Sequence, residues 1–210
     1  MNDQYYTADP NSESRPVPCA FPYRGYGLNF MTDAGVFSKG ELDVGSRLLL
    51  DALPALAGDV LDLGCGWGAI GVAVAKANKD ARVVMADVNH RALGLCRDNC
   101  ERNGVTAEVV ESDGMAALMD CTFDAVVTNP PIRAGKQVIY KMFADAAKTL
   151  KQDGALYLVI RKQQGAESCV KYLKTLYNDV EKLDKSGGFW VLKASDAKQE
   201  AMEEGHTNEI

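Results

Sequence analysis

The chain lacks any apolar run long enough to cross a bilayer, and no membrane-spanning helix is expected. It opens on Met1-Asn2-Asp3-Gln4-Tyr5-Tyr6, with no basic region followed by an apolar one, so no signal peptide is expected either. Histidine is scarce: His90 and His206 stand alone, with no neighbours suggesting metal or acid–base work. Six cysteines are present but no Cys-x-x-Cys. Cys96 and Cys100 fall on one helix face without companion ligands, so no metal is expected, and the thiols read as reduced cysteines of a cytoplasmic protein. Positive charge is in deficit: 23 Lys and Arg against 29 Asp and Glu give a net charge of −6. That excludes a general nucleic-acid coat, but not an enzyme that meets RNA through a local basic patch. Internal repeats and low-complexity tracts are also missing.

What is there suffices for one sizeable domain: 210 residues, 47% hydrophobic and 25% charged. The stretch Asp62-Leu63-Gly64-Cys65-Gly66-Trp67-Gly68 follows a short apolar run and precedes an Ala/Val-rich helix. A strand, a glycine turn and a helix in that order expose free N–H groups at the helix start, and bare backbone lets a ligand approach them. Around this turn the pattern predicts strands near 59–63, 82–87, 107–111, 123–128 and 155–160, and helices near 44–56, 68–78, 90–103, 136–151 and 164–177. Asp43 is placed to cap the first of these helices. Ser186-Gly187-Gly188 predicts a closing hairpin between 180–184 and 189–193. The fold class is α/β: a doubly wound, mostly parallel seven-stranded sheet of the Rossmann-like kind, with an antiparallel C-terminal hairpin. Before it, residues 1–24, broken by Pro10, Pro16, Pro18 and Pro22, read as an extended arm anchored by Tyr5, Tyr6, Phe21 and Tyr23. Residues 25–38 read as a short hairpin turning at Thr32-Asp33-Ala34-Gly35. The expected organisation is 1–40 arm and hairpin, 41–195 catalytic domain, and 196–210 a disordered acidic tail.

In such sheets ligands sit at the carboxyl ends of the strands, where Gly64, Asp87, Asp113 and Asn129 all fall. Gly64-Cys65-Gly66-Trp67-Gly68-Ala69 with Asp87 also fits the dinucleotide fingerprint, so a nicotinamide oxidoreductase is an alternative. Asp62 weighs against it. A carboxylate at the end of the first strand would repel a pyrophosphate, yet suits a ligand bearing an amino group. Glycines at 64, 66 and 68 resemble motif I of the class I S-adenosylmethionine-dependent methyltransferases, a likeness that covers about residues 40–195. The resemblance implies S-adenosyl-L-methionine as cofactor. It assigns Asp62 to the methionine end, usually through water. Gly64, Gly66 and Gly68 become the turn, Asp87 with Val88 the ribose contact, Asp113 with Gly114 the adenine contact, and Asn129 a further cofactor contact. A helix N-cap is the alternative role for Asp113.

Asn129-Pro130-Pro131-Ile132 follows the fourth strand directly. Two prolines block a helix start and hold an extended path that aims the Asn129 amide oxygen and the Pro130 carbonyl at one point. Converging acceptors suit an –NH2 donor and favour a pyramidal nitrogen with an exposed lone pair. The stretch resembles the Asn/Asp-Pro-Pro motif of amino-group methyltransferases, with Ile132 where the adenine and glutamine enzymes carry an aromatic. Extended to Lys136, it resembles the small-subunit ribosomal RNA guanine-N2 methyltransferases. Tyr5–Pro10 and Thr32–Ser38 resemble the same family's methyltransferase small domain. That implies catalysis by Asn129, Pro130, Pro131 and Ile132 and substrate contacts from Phe37, Arg133 and Lys136, with ribosomal RNA or the small subunit as partner. Lys141, Arg161, Lys162, Lys39 and Arg24 are further candidate RNA contacts. Fuller members carry a second, related domain ahead of the catalytic one. A protein glutamine methyltransferase and a non-catalytic cofactor-binding module are the remaining alternatives.

Overall fold

A computed structural model describes residues 8 and 12–198. Tyr5, Tyr6, His206 and the acidic tail beyond 198 lie outside the described residues. Those described form nine strands and five helices. Strands β3 (Gly58–Leu63), β4 (Ala81–Asp87), β5 (Glu108–Glu111), β6 (Phe123–Thr128), β7 (Leu150–Arg161), β8 (Tyr177–Ser186) and β9 (Phe189–Ala197) make one sheet in the order β5-β4-β3-β6-β7-β9-β8. The first five are parallel, and β9 runs antiparallel between β7 and β8. Strand order reverses at β3, so the gap between β3 and β6 is the switch point where a doubly wound sheet opens a crevice.

Helices α1 (Val44–Ala52), α2 (Ala69–Ala77) and α3 (His90–Asn103) share one apolar layer with Val60, Val83, Val127 and Val159. Helices α4 (Lys136–Thr149) and α5 (Ala166–Leu176) cover the other face, over Leu61, Val126, Leu156 and Leu158. Alternate residues of each strand thus feed opposite layers, as a sheet buried on both faces requires. β9 reaches Ala197, so residues 196–197 belong to the sheet and not to the expected tail.

The N-terminal hairpin differs from expectation. Its strands are β1 (Val17–Tyr23) and β2 (Tyr26–Thr32), turning at Arg24-Gly25, where both residues take positive φ. Cys19, Phe21 and Tyr23 alternate inward against Leu28, Phe30 and Thr32. Pro18 and Pro22 fall on the exposed phase of this outer strand, a position that tolerates proline. Thr32-Asp33-Ala34-Gly35 therefore follows the hairpin instead of closing it. Phe21, Tyr23, Leu28 and Phe30 join the same core as the first sheet layer. The free edge of β2 is taken by amides of α3. Asn103 accepts from Asn29 N and donates to Asn29 O, while Asn99 accepts from Met31 N and donates to Met31 O. Asn99 also donates to the carbonyl of Trp67 in the glycine turn.

Candidate active site

The glycine turn is assembled by its own backbone. Gly64 N and Cys65 N both donate to Ala86 O, at 2.8 and 2.9 Å, and Gly68 N donates to Cys65 O. Gly64, Gly66 and Gly68 have φ of 75°, 55° and 87°, angles that side-chained residues avoid. A Cβ on Gly64 would project into open space, whereas one on Gly68 would stand 2.9 Å from Cys96 Sγ. Gly64 thus leaves room for a ligand and Gly68 lets α2 seat on α3.

Beside the turn lies a cavity of about 260 Å³. Gly64, Asp87, Asp113 and Asn129 meet in its wall, with Val88, Gly114, Pro130, Pro131 and Phe37. A smaller recess reaches from Phe37, Gly64 and Asn129 to Gly66, Asp43 and Ser46. Gly68, Ile132, Arg133 and Lys136 line neither. Ile132 starts a single 3-10 turn (Ile132–Ala134) and packs on the α4 layer, so Ala134 takes the wall position instead. Val138 on α4 is 44% exposed and lines the cavity. Arg133 and Lys136 are exposed, and Lys136 Nζ stands 5.0 Å over the Tyr140 ring. Arg24 donates to Leu53 O and Pro54 O at the far end of α1, and Lys141, itself exposed, pairs with Asp145 one turn along α4.

The two acids of the turn are held differently. Asp87 accepts from Gly66 N at 2.8 Å and from Asn89 N at 2.9 Å. Burial raises its carboxyl above the ordinary value, and these N–H groups oppose the rise. Asp62 is 2% exposed and lies beneath the turn, outside the cavity wall. Its Oδ2 accepts from Gly71 N at 2.7 Å, while its buried Oδ1 has no hydrogen-bond partner among the described residues. Burial pushes this carboxyl up to about 7, against the Gly71 N–H and helped by the charge of Asp87. Asp113 makes no helix cap: Ser112 Oγ takes Ala117 N, and Asp113 stays exposed at the cavity.

Asn129 is anchored at both levels. Thr128 Oγ1 donates to Leu63 O at 2.7 Å, which ties the end of β6 to the end of β3. Asn129 Nδ2 donates to Asp43 Oδ2 at 3.0 Å and to Ser46 Oγ at 2.9 Å. Sequence identified Asp43 as the α1 cap, which it is, accepting from Ser46 N at 3.0 Å. Its contact with Asn129, 86 residues away, and the part of Ser46 carry no sequence signal. Phe37 is brought to the wall through its carbonyl, which accepts from Trp67 Nε1 at 2.8 Å. Among the described residues no His, Cys, Asp or Glu cluster could hold a metal ion, and no helix is long and apolar enough to cross a membrane.

Comparison with known proteins bears on this geometry. The methyltransferase small domain family matches residues 27–193. A Bacillus subtilis protein, YbxB, itself uncharacterised, is 40% identical over 198 residues, covering 92% of this chain and 98% of its own. Ribosomal RNA small subunit methyltransferase C of Vibrio vulnificus is 34% identical over 178 residues, covering 81% of this chain and 50% of its own. The T. thermophilus 16S rRNA N2 methyltransferase, solved with AdoMet and guanosine, superposes with a TM-score of 0.78 at 29% identity, over 88% of this chain and 51% of that one. This chain thus spans about half the length of these two ribosomal RNA enzymes.

Proposed function

Because the chain belongs to the methyltransferase small domain family, we propose that it moves a methyl group from S-adenosylmethionine to an exocyclic amine, and that this amine is guanine N2 of small-subunit ribosomal RNA. The observation that carries the reading is one cavity wall shared by the glycine turn, Asp87, Asp113 and the Asn129-Pro130 acceptors. The residues fit the cofactor: Gly64 leaves space where a Cβ would intrude, and Asp62 keeps an acceptor unused beneath the turn. Gly64 and Gly66 would line its path, Asp87 would take the ribose hydroxyls, Asp113 the adenine amino group, and Asp62 the charged end through water.

When bound, S-adenosylmethionine supplies an electrophilic methyl on a sulfonium. The protein's own part is placement and polarisation. Asn129 Oδ1 and Pro130 O accept hydrogen bonds from the two N–H groups of the target amine and turn its lone pair toward the methyl. Phe37 and Pro131 wall the planar target, and Val138 and Met142 exclude water from the opposite side. Attack by the target nitrogen on the methyl would leave a neutral thioether, and the surplus amine proton would pass to water afterwards, so the chain needs no strong base. Arg133, Lys136 and Lys162, all exposed, are assigned to RNA phosphates.

The test is label transfer from S-adenosylmethionine to ribosomal subunits, protein-free ribosomal RNA and RNA-free cell protein, with digestion of the product. Label in N2-methylguanosine is expected; label only in protein moves the target to an amide side chain. Asn129→Ala is expected to lower kcat by at least about 100-fold with cofactor affinity within a few-fold. Full activity in that variant overturns the acceptor role.

A further inference from the structure

We propose that Asp43 and Ser46, in the first turn of α1, are positioning residues that lock the rotation of the Asn129 amide, so that its oxygen and not its nitrogen meets the target amine. The proposal rests on the acceptor role given to Asn129 above. A terminal amide turns between two nearly equivalent orientations, and its two ends differ little in size but oppositely in hydrogen bonding. Flipped, Asn129 would present two donors to an –NH2 group that also offers donors, and the target would be repelled. Nothing in Asn129-Pro130-Pro131 itself chooses between these orientations.

The choice is made from α1. Asp43 Oδ2 and Ser46 Oγ both stand at hydrogen-bond distance from Asn129 Nδ2, at 3.0 and 2.9 Å. A carboxylate only accepts, so a flipped amide would set oxygen against oxygen at about that separation. Asp43 is itself held: the same Oδ2 takes Ser46 N at 3.0 Å, and its carbonyl takes Arg47 N at 2.9 Å. Gly45 between them keeps the carboxylate in place by having no side chain. A Cβ there would lie 2.9 Å from Asp43 Oδ2 and 3.1 Å from the Phe189 ring. The cap that starts α1 and the acceptor pair that orients Asn129 are therefore one arrangement of atoms. The small recess joins Asp43 and Ser46 to Asn129 and Gly64, so the lock borders the site without lining its main cavity.

The test separates the lock from helix capping. Asp43→Ser keeps a good N-cap, while its hydroxyl is too short to reach residue 129; combined with Ser46→Ala it removes both acceptors. We expect this double variant to keep its melting temperature within about 3 °C, to bind S-adenosylmethionine within about twofold, and to lose about 10- to 100-fold in kcat with a smaller change in KM. Asp43→Asn with Ser46 intact, which restores an oxygen at the same place, recovers most of that loss. Independently of activity, the side-chain amide protons of Asn129 exchange slowly with solvent in the parent protein and fast in the double variant. Unchanged kcat and unchanged exchange in the double variant, with Asn129→Ala inactive, overturn the lock and leave the methyl-transfer reading standing. Full activity in Asn129→Ala overturns both.

Discussion

Two aspartates three residues apart on β3 are treated in opposite ways by the two edges of the sheet. At the amino edge Asp59 is saturated: Arg82 approaches to 2.6 Å and Lys151 to 2.8 Å, and Lys151 also reaches Asp124 at 2.7 Å. Hydrogen bonds from Lys151 and Arg82 hold the Asp59 carboxyl below its ordinary value, and Lys151 does the same for Asp124. At the carboxyl edge Asp62 has one satisfied oxygen and one without a partner among the described residues, in a place where desolvation pushes its carboxyl up to about 7. Both belong to one strand of one fold, so the difference is not one of residue type. The lower edge uses its carboxylates to close the sheet. The upper edge leaves one acceptor unpaired among the described residues, the one proposed above to face the charged end of the cofactor through water.

The largest effect expected from that contrast is on cofactor binding. Asp62→Asn keeps the acceptor for Gly71 but loses the charge; affinity for S-adenosylmethionine should fall roughly 10- to 100-fold by titration calorimetry, with the fold intact. An affinity within twofold of the parent would erase the distinction between the edges. The same carboxyl gives a pH signature. Its value near 7 in the folded chain exceeds its unfolded value of 3.8, so its contribution to stability is full below about pH 4 and is lost as pH rises through 7. Parent and Asp62→Asn should therefore diverge in melting temperature between pH 4 and 7, the variant gaining on the parent as pH rises. Parallel curves would show that Asp62 does not titrate there. A ligand that favours the carboxylate would also release a proton on binding near pH 6, seen as a dependence of calorimetric heat on the buffer, and absent in the variant.

Within the glycine turn the contrast sharpens further. Gly68→Ala adds a Cβ against Cys96 Sγ at a left-handed φ and should cost about 2–3 kcal/mol of stability. Gly64→Ala meets no neighbour and should cost about 1 kcal/mol, with its main effect on cofactor affinity. Equal destabilisation by the two would dissolve the division of labour. The smallest effect belongs to the lower edge: Lys151→Met removes two partly buried ion pairs, and should lower the melting temperature modestly while leaving cofactor affinity unchanged. A loss of binding in that variant would mean that the edges are coupled.

The meeting of Gly64, Asp87 and Asp113 in one cavity wall was legible because each follows a strand end directly: Gly64 after β3, Asp87 closing β4, Asp113 two residues past β5. Short turns place such residues with little help from the rest of the chain. The acceptor half was legible only in part. Asn129 was visible from its position after β6 and the prolines behind it, but its partners come from α1, and pairings across such distances leave no local pattern. Ile132 was misplaced for a similar reason: the 3-10 turn after the prolines rotates it into the α4 layer, which no periodicity over three residues reveals. In the hairpin the period-two burial of Cys19, Phe21 and Tyr23 was present in the sequence, but prolines at the intervening positions obscured it.

The side-chain amides along β2 carry one more consequence. A two-stranded hairpin standing apart from the main sheet has an outer edge that could pair with an extended segment of any passing chain. Asn99 and Asn103 occupy the donor and acceptor of both Met31 and Asn29 on that edge. At those two residues no backbone group is left for a foreign strand to grip, so α3 covers the β2 edge through two side-chain amides that stand in for a neighbouring strand.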